Sequence, residues 1–424
     1  MSSNGAVAAD AGPEPAIASV SQGAAQGAKV GGLNVFRGVP YARAERFGPP
    51  LPFPPWKGVR QAIDPGPTCP QLPSRLEFLM GALTATRAMA EACHVVSIWS
   101  PDLRGKRPVM VWIHGGAFVE GGGEEALYDA SKLAREGDVV TVTVTYRVGA
   151  FGFLCTDGLG ATNLGLQDQI AALDWVRDNI ASFGGDPDNV TAFGQSAGGY
   201  SIASILATTK RPLFRRAIIQ SAPVAMTMTE ADARVVGRDF LAALGKSPAA
   251  ATVEEMLMAQ KQVLAASKLP VPFLPIGVDP LQPLSPNGRQ LDVIAGWTRD
   301  DASPYIALSR DGDARGDVLD DPLTSTATRQ TFSEPTRAMV ETLRRQGHRV
   351  YNYEITWRPP GSPYGACHCI ELPLLLGEGE RAAMLSDGPQ EEIERFGREA
   401  RAIWTDFAKS GEAPRQTDWL RTPA

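Results

Sequence analysis

A serine flanked at two residues on either side by glycine, Gly194-Gln195-Ser196-Ala197-Gly198, is the first group in this chain whose surroundings suit covalent chemistry. Val190, Thr191, Ala192 and Phe193 precede it as a strand-like run, and Tyr200 to Ala207 follow it as a helix-forming stretch. Strand, sharp turn and helix in that order form a nucleophile elbow, and only glycine-sized neighbours let the two elements close on the turn. A serine hydroxyl is a poor nucleophile at neutral pH. It needs a histidine to take its proton and an acid to orient that histidine and stabilise the imidazolium.

The chain has four histidines. In a doubly wound sheet the reactive loops lie beyond the carboxyl ends of the strands, and this sorts them. His94 and His348 each stand at the start of an expected strand, on the wrong edge. His114 closes the strand VMVWI at the right edge but belongs to a different element. His368, in GACHCIELPLLLG, follows the last strand through a loop and is the candidate base. For the acid, LDVIAGWT runs into Arg299-Asp300-Asp301, and turn geometry that the sequence does not specify decides between Asp300 and Asp301. His114-Gly115-Gly116-Ala117-Phe118, directly after a strand, offers unshielded backbone amides to a developing oxyanion, and the amide of Ala197 at a helix start completes the set. Phe118 and Trp297 are candidates for the substrate pocket, with core packing as the competing reading.

These groups need a scaffold. From residue 95, apolar runs (VVSIW, RPVMVWIHGG, DVVTVTVTYRVG, NVTAFG, RAIIQSA, LDVIAGWT, RVYNYEITW) alternate with amphipathic stretches. Several runs are continuously apolar, as strands covered on both faces are. The clearest helix spans residues 164 to 182, where Leu166, Ile170, Leu173, Val176 and Ile180 form one stripe. The pattern predicts an α/β fold with a mostly parallel central sheet flanked by helices. Upstream, AIASVSQGAAQG and GLNVFRGVPYA read as small strands, and the proline-rich residues 48 to 74 read as an ordered loop holding Phe53 and Trp56. Residues 1 to 14 read as a disordered tail and 15 to 424 as one domain, with helical insertions around 231–270 and 302–347.

Hydrophobic residues at 43% and charged residues at 21% suit a globular chain, and a net charge of −6 argues against nucleic acid or an anionic membrane as partner. The N-terminus lacks the basic start and apolar core of a secretory signal, and five cysteines are too few for a disulfide framework. A cytoplasmic location is expected. Cys367-His368-Cys369 lacks a second ligand cluster, so no metal is expected. Gly121-Gly122-Gly123 and Gly158-Leu159-Gly160 lack the rest of a phosphate-loop fingerprint. The sequence leaves the oligomeric state open.

HGGAF at 114–118, YRVGAFGFL at 146–154, NLGLQDQIAALDWVRDNIASFGGDPDNVTAFGQSAGG at 163–199 and HCIELPLLLG at 368–377 together resemble the type-B carboxylesterases of the α/β-hydrolase fold. The resemblance runs from about residue 30 to about 410. It implies Ser196 as nucleophile, Asp301 as acid and His368 as base, with Gly116, Ala117 and Ala197 donating to the oxyanion. It implies a supporting hydrogen bond from Ser221, ion pairs Arg147 with Asp168 and Arg46 with Glu91, and a possible bridge between Cys69 and Cys93, for which two free thiols is the competing reading. The implied activity is cofactor-free hydrolysis of small to medium carboxylic esters through an acyl-enzyme. The alternatives are a catalytically silent binding protein on the same fold, or a lipase or amidase. Departures from the family pattern are Asp301 where Glu is usual, Gln195 where Glu is common, and a short segment between Asp301 and His368. Reduced lid insertions and a more open pocket are expected from the last.

Overall fold

Strands that must be covered on both faces carry apolar side chains in both directions, and the apolar runs of this chain pair in that way. A computed structural model describes residues 14–81, 88–283, 289–310, 318–377, 383–385, 389–412 and 415–423. Twelve strands form one sheet: β1 (Pro15–Val20), β2 (Gly23–Val30), β3 (Leu33–Pro40), β4 (Val59–Gln61), β5 (Val95–Ser100), β6 (Arg107–Ile113), β7 (Val140–Val144), β8 (Gly185–Gln195), β9 (Arg216–Gln220), β10 (Asp292–Thr298), β11 (Arg349–Ile355) and β12 (Leu420–Arg421). Their order is β1-β2-β3-β5-β7-β6-β8-β9-β10-β11-β12, with β4 beside β2. The six strands from β7 through β6 to β11 run parallel. β1, β2, β3, β5 and β12 join them antiparallel, while β4 pairs parallel with β2.

Alternation along each inner strand divides the core. In β6, Val109, Val111 and Ile113 face one hydrophobic cluster while Met110 and Trp112 face the other. β9 repeats this with Ala217 and Ile219 against Ile218. Helices cover both faces: α1 (Leu164–Asn179), α2 (Ala197–Thr208), α3 (Glu230–Leu244), α4 (Val253–Ala266), α5 (Ser303–Leu308), α6 (Pro322–Thr328), α7 (Glu334–Arg345) and α8 (Gln390–Ser410). The expected stripe of α1 is inward: Leu166, Leu173, Val176 and Ile180 are buried and Ile170 partly so. The helix is shorter than expected, because Ile180–Phe183 tightens into a 3-10 turn that ends at Gly184 with φ 78°. α3 and α4 lie in the stretch expected to hold the first insertion, and α5, α6 and α7 in the second. α4 starts on a reciprocal cap in which Thr252 and Glu255 satisfy each other's backbone amides.

Residues 1–13 of the expected tail lie outside the described residues, and Glu14 accepts from Lys29 Nζ at 2.7 Å. No helix among the described residues is long and apolar enough to cross a membrane. Parallel register brings the carboxyl ends of β6, β8, β9, β10 and β11 to one edge, where Ile113, Gln195, Gln220, Thr298 and Ile355 each hand the chain to a loop.

Candidate active site

Ser196 sits where β8 turns into α2, with φ 56° and ψ −122°, a conformation that costs an L-residue of order 1–3 kcal/mol. Its surroundings hold it there. The Ser196 amide donates to the Gln220 carbonyl at 2.8 Å, and the Ser196 carbonyl accepts from the Tyr200 amide at 2.8 Å. A Cβ on Gly198 would stand 1.9 Å from the Ile113 carbonyl oxygen, so the second glycine of the motif is what lets α2 approach β6. The helix begins at Ala197, three residues before the sequence alone suggests.

The loop after β11 returns His368 to this edge. His368 Nδ1 donates to Asp301 Oδ1 at 2.5 Å, and Asp301 Oδ2 accepts from Ser221 Oγ at 2.7 Å and from the Thr298 amide at 2.9 Å. Asp301 and His368 are buried, so every carboxylate contact acts in a poorly screened environment. Ser221, at φ 45°, is a second strained residue at a strand end. With Nδ1 as donor, Nε2 of His368 is an acceptor, and it takes the side-chain amide of Gln195 at 2.9 Å. Gln195 thus touches the histidine directly rather than lying beneath the site.

Geometry also separates the two aspartates. Asp300 is held by both guanidinium arms of Arg358 at 2.8 and 2.7 Å and by the Ala366 amide at 2.8 Å. Its own amide donates to the Ala366 carbonyl at 2.9 Å, so Asp300 pins the loop that carries His368 while Asp301 faces the ring.

Gly116, Ala117 and Phe118 follow β6 with φ of 108°, 51° and 62°. The amides of Gly116 and Ala117 donate no hydrogen bond among the described residues, and the Ala197 amide is one of the open donors of the first helical turn. These three face the Ser196 side of two adjoining cavities. A larger one of about 240 Å³ is apolar, lined by Phe118, Met226, Leu274, Ala302 and Phe332 among others. A smaller, more polar one of about 50 Å³ is lined by Ser74, Glu120, Gln195 and His368 among others. Burial raises the Glu120 carboxyl to a pKa of about 7 against the Ser74 hydroxyl that donates to it at 2.8 Å.

Three expectations need correction or completion. Phe118 lines the apolar cavity, but Trp297 lines neither. Trp297 packs behind Ala302 and Phe332, donates to Glu354 at 3.3 Å and carries Arg337 over its ring at 5.0 Å. A more open pocket is expected from the short segment; within the pocket Ser196 is 8% exposed and His368 1%. Tyr305 and Phe332 cover the histidine, with ring centroids 5.3 and 5.2 Å from it. Tyr305, 37% exposed as a whole, also brings its hydroxyl close to Ser196, and desolvation around that hydroxyl raises the phenol's pKa. The sequence reading missed Tyr305 and Phe332. The one available signal was that Tyr305 stands four residues beyond Asp301 at the start of a helix, one turn from the acid.

The other histidines are occupied. His94 Nε2 lies 3.1 Å from Asp168, which pairs with Arg147 at 2.7 Å. His114 stacks on Tyr146 at 4.1 Å, and burial lowers its pKa to about 4. His348 Nδ1 accepts from the Leu291 amide at 3.2 Å. Arg46 and Glu91 pair as the resemblance implies. All five cysteines are thiols; Cys69 and Cys93 are neighbours that share a hydrogen bond without a bridge. No group of three metal-ligating side chains occurs among the described residues.

An elbow serine beside a histidine–aspartate pair, on the carboxyl edge of this sheet, defines a serine hydrolase of the α/β-hydrolase fold. The model of the carboxylesterase family matches residues 14–307, and the chain belongs to that family. A probable N-octanoylanthranilate hydrolase of Rhodococcus erythropolis is 38% identical over 91% of both chains. The para-nitrobenzyl esterase of Bacillus subtilis (strain 168) is 34% identical over 96% of this chain and 92% of its own. Among solved structures, a thermophilic p-nitrobenzyl esterase superposes with TM-score 0.81 at 32% identity over 96% of this chain and 93% of its own. The protein is a serine carboxylic-ester hydrolase.

Proposed function

We propose that Ser196, His368 and Asp301 perform this hydrolysis through an acyl-enzyme, and that the preferred acyl group is a medium-length apolar chain. In this reading Ser196 Oγ attacks the carbonyl carbon while His368 Nε2 takes its proton. Nε2 is poised as a base because Nδ1–H is committed to Asp301, and the substrate must displace the Gln195 amide from it so that the serine hydroxyl can take that place. Apo hydrogen bonds of this kind are commonly remade in the substrate complex. The amides of Gly116, Ala117 and Ala197 receive the oxyanion, each worth about 3 kcal/mol of transition-state stabilisation. The imidazolium then protonates the leaving oxygen, and water repeats the sequence to free the acid.

The observation that carries the reading is the Asp301–His368 contact of 2.5 Å set beside a strained Ser196 at the mouth of an apolar cavity. That cavity supports a chain longer than acetyl, and the relative named for hydrolysis of N-octanoylanthranilate is consistent with an eight-carbon acyl group. A series of p-nitrophenyl esters from acetate to palmitate tests it. kcat/KM is expected to peak between butyrate and decanoate, with an initial burst of p-nitrophenol stoichiometric with enzyme. A monotonic fall from acetate contradicts the acyl-chain assignment, and hydrolysis unaffected by Ser196→Ala contradicts the mechanism. A cytoplasmic location belongs to the same proposal, supported by the unbridged Cys69 and Cys93, and activity in a periplasmic or secreted fraction contradicts it.

A further inference from the structure

Four residues line both cavities: Arg75, Ala117, Ser196 and Tyr305. Three of them belong naturally at a reacting centre, as an open amide, a nucleophile and a phenol that reaches it. Arg75 is the fourth. It is exposed, and among the described residues it forms no ion pair or side-chain hydrogen bond. Its charge is nevertheless felt at the Tyr305 hydroxyl and at Glu120. Glu120, in the small cavity, accepts from the Ser74 hydroxyl at 2.8 Å, and no ion pair joins it to Arg75 among the described residues.

If the acyl chain takes the apolar cavity, the leaving group lies on the small polar side, and the guanidinium stands where the two meet. A guanidinium offers paired N–H donors that match a carboxylate. We propose, on the reading of Ser196 as nucleophile, that Arg75 is a specificity-determining residue that binds a carboxylate held a few bonds from the scissile bond. The substrate class is then medium-chain acyl esters whose leaving group carries a carboxylate near the scissile oxygen, of which 2-(octanoyloxy)benzoate is one example. Bound this way, the anion fixes the leaving group and leaves the acyl carbonyl over the amides of Gly116 and Ala117.

The test compares 2-(octanoyloxy)benzoate with its methyl ester, corrected for spontaneous hydrolysis, in the wild type, Arg75→Met and Arg75→Lys. The ratio of kcat/KM for the acid to that for the methyl ester is expected to fall about tenfold or more in Arg75→Met. Arg75→Lys, which keeps the charge and loses the fork, should retain part of it. A ratio unchanged in Arg75→Met overturns the proposal, as does a wild type that hydrolyses the methyl ester and leaves the acid intact. p-Nitrophenyl octanoate serves as the third substrate: if the wild type ignores all three, the hydrolase reading fails and takes this inference with it.

Discussion

Two adjacent aspartates give opposite roles to nearly identical side chains, and a pair of substitutions separates them. Asp301→Asn removes the acceptor that fixes the His368 tautomer and should lower kcat by on the order of 10³- to 10⁴-fold with little change in thermal stability. Asp300→Ala breaks the Arg358 clamp and the tie to the Ala366 amide, and should cost about 1–3 kcal/mol of stability with a much smaller effect on kcat. Equal kinetic losses in both would mean that the loop, not the contact with the ring, is what matters. Gln195 invites a third experiment. A carboxylate placed against His368 Nε2 favours the imidazolium, and the base must be neutral to accept the serine proton. Gln195→Glu should therefore move the acidic limb of the kcat/KM profile to higher pH and reduce activity near neutrality. An unmoved limb would show that the side chain is already away from the ring in the free enzyme, whose titration kcat/KM reports. The serine and histidine were legible in the sequence because glycine spacing and strand edges restrict where they can be. The residues alone left the choice of aspartate open, since a single turn decides it, and the family resemblance pointed to Asp301. The direct contact of Gln195 with the ring was hidden, because it depends on a rotamer.

At the scale of elements, the last turns of the chain's regular structure carry the site, and buried polar groups stabilise them at a cost. Glu371, one turn beyond His368, is buried; desolvation raises its pKa to about 7 from 4.5, with Gln220 donating to it at 3.1 Å. A carboxyl raised in the folded state weakens folding as the pH climbs: the cost is absent below the unfolded pKa near 4.5 and fully present above about 7. Glu371→Gln should thus gain stability relative to wild type between pH 5 and pH 8, by on the order of 1–3 kcal/mol, read as a Tm difference that grows with pH. A Tm difference independent of pH would mean the group does not titrate as its burial implies. α6 and α7 are joined by a π-helical turn, Arg329–Ser333, that presents Phe332 to His368 and to the apolar cavity. Periodicity at 3.6 residues gives no warning of such a turn, which is why Phe332 escaped the sequence reading while the stripe of α1 did not.

Across the whole molecule, the parallel strands from β7 to β11 were readable because each is apolar on both faces, and their helices because amphipathic stretches separate them. What the sequence underspecified is the cover. A short segment between Asp301 and His368 suggested a more open pocket but not its lining: α5 to α7 form a cover whose aromatic side chains leave Ser196 8% exposed. Phe332→Ala should enlarge the apolar cavity and shift the preferred p-nitrophenyl ester to a longer chain, whereas a uniform loss across all chain lengths would assign Phe332 to holding His368 instead. The account as a whole rests on one bond-forming atom, Ser196 Oγ. Intact-mass analysis after treatment with a fluorophosphonate tests it most directly. The wild type should gain one adduct, mapped to the peptide containing Ser196, in step with loss of esterase activity, and Ser196→Ala should gain none. An adduct on another residue, or an active Ser196→Ala protein, would contradict it.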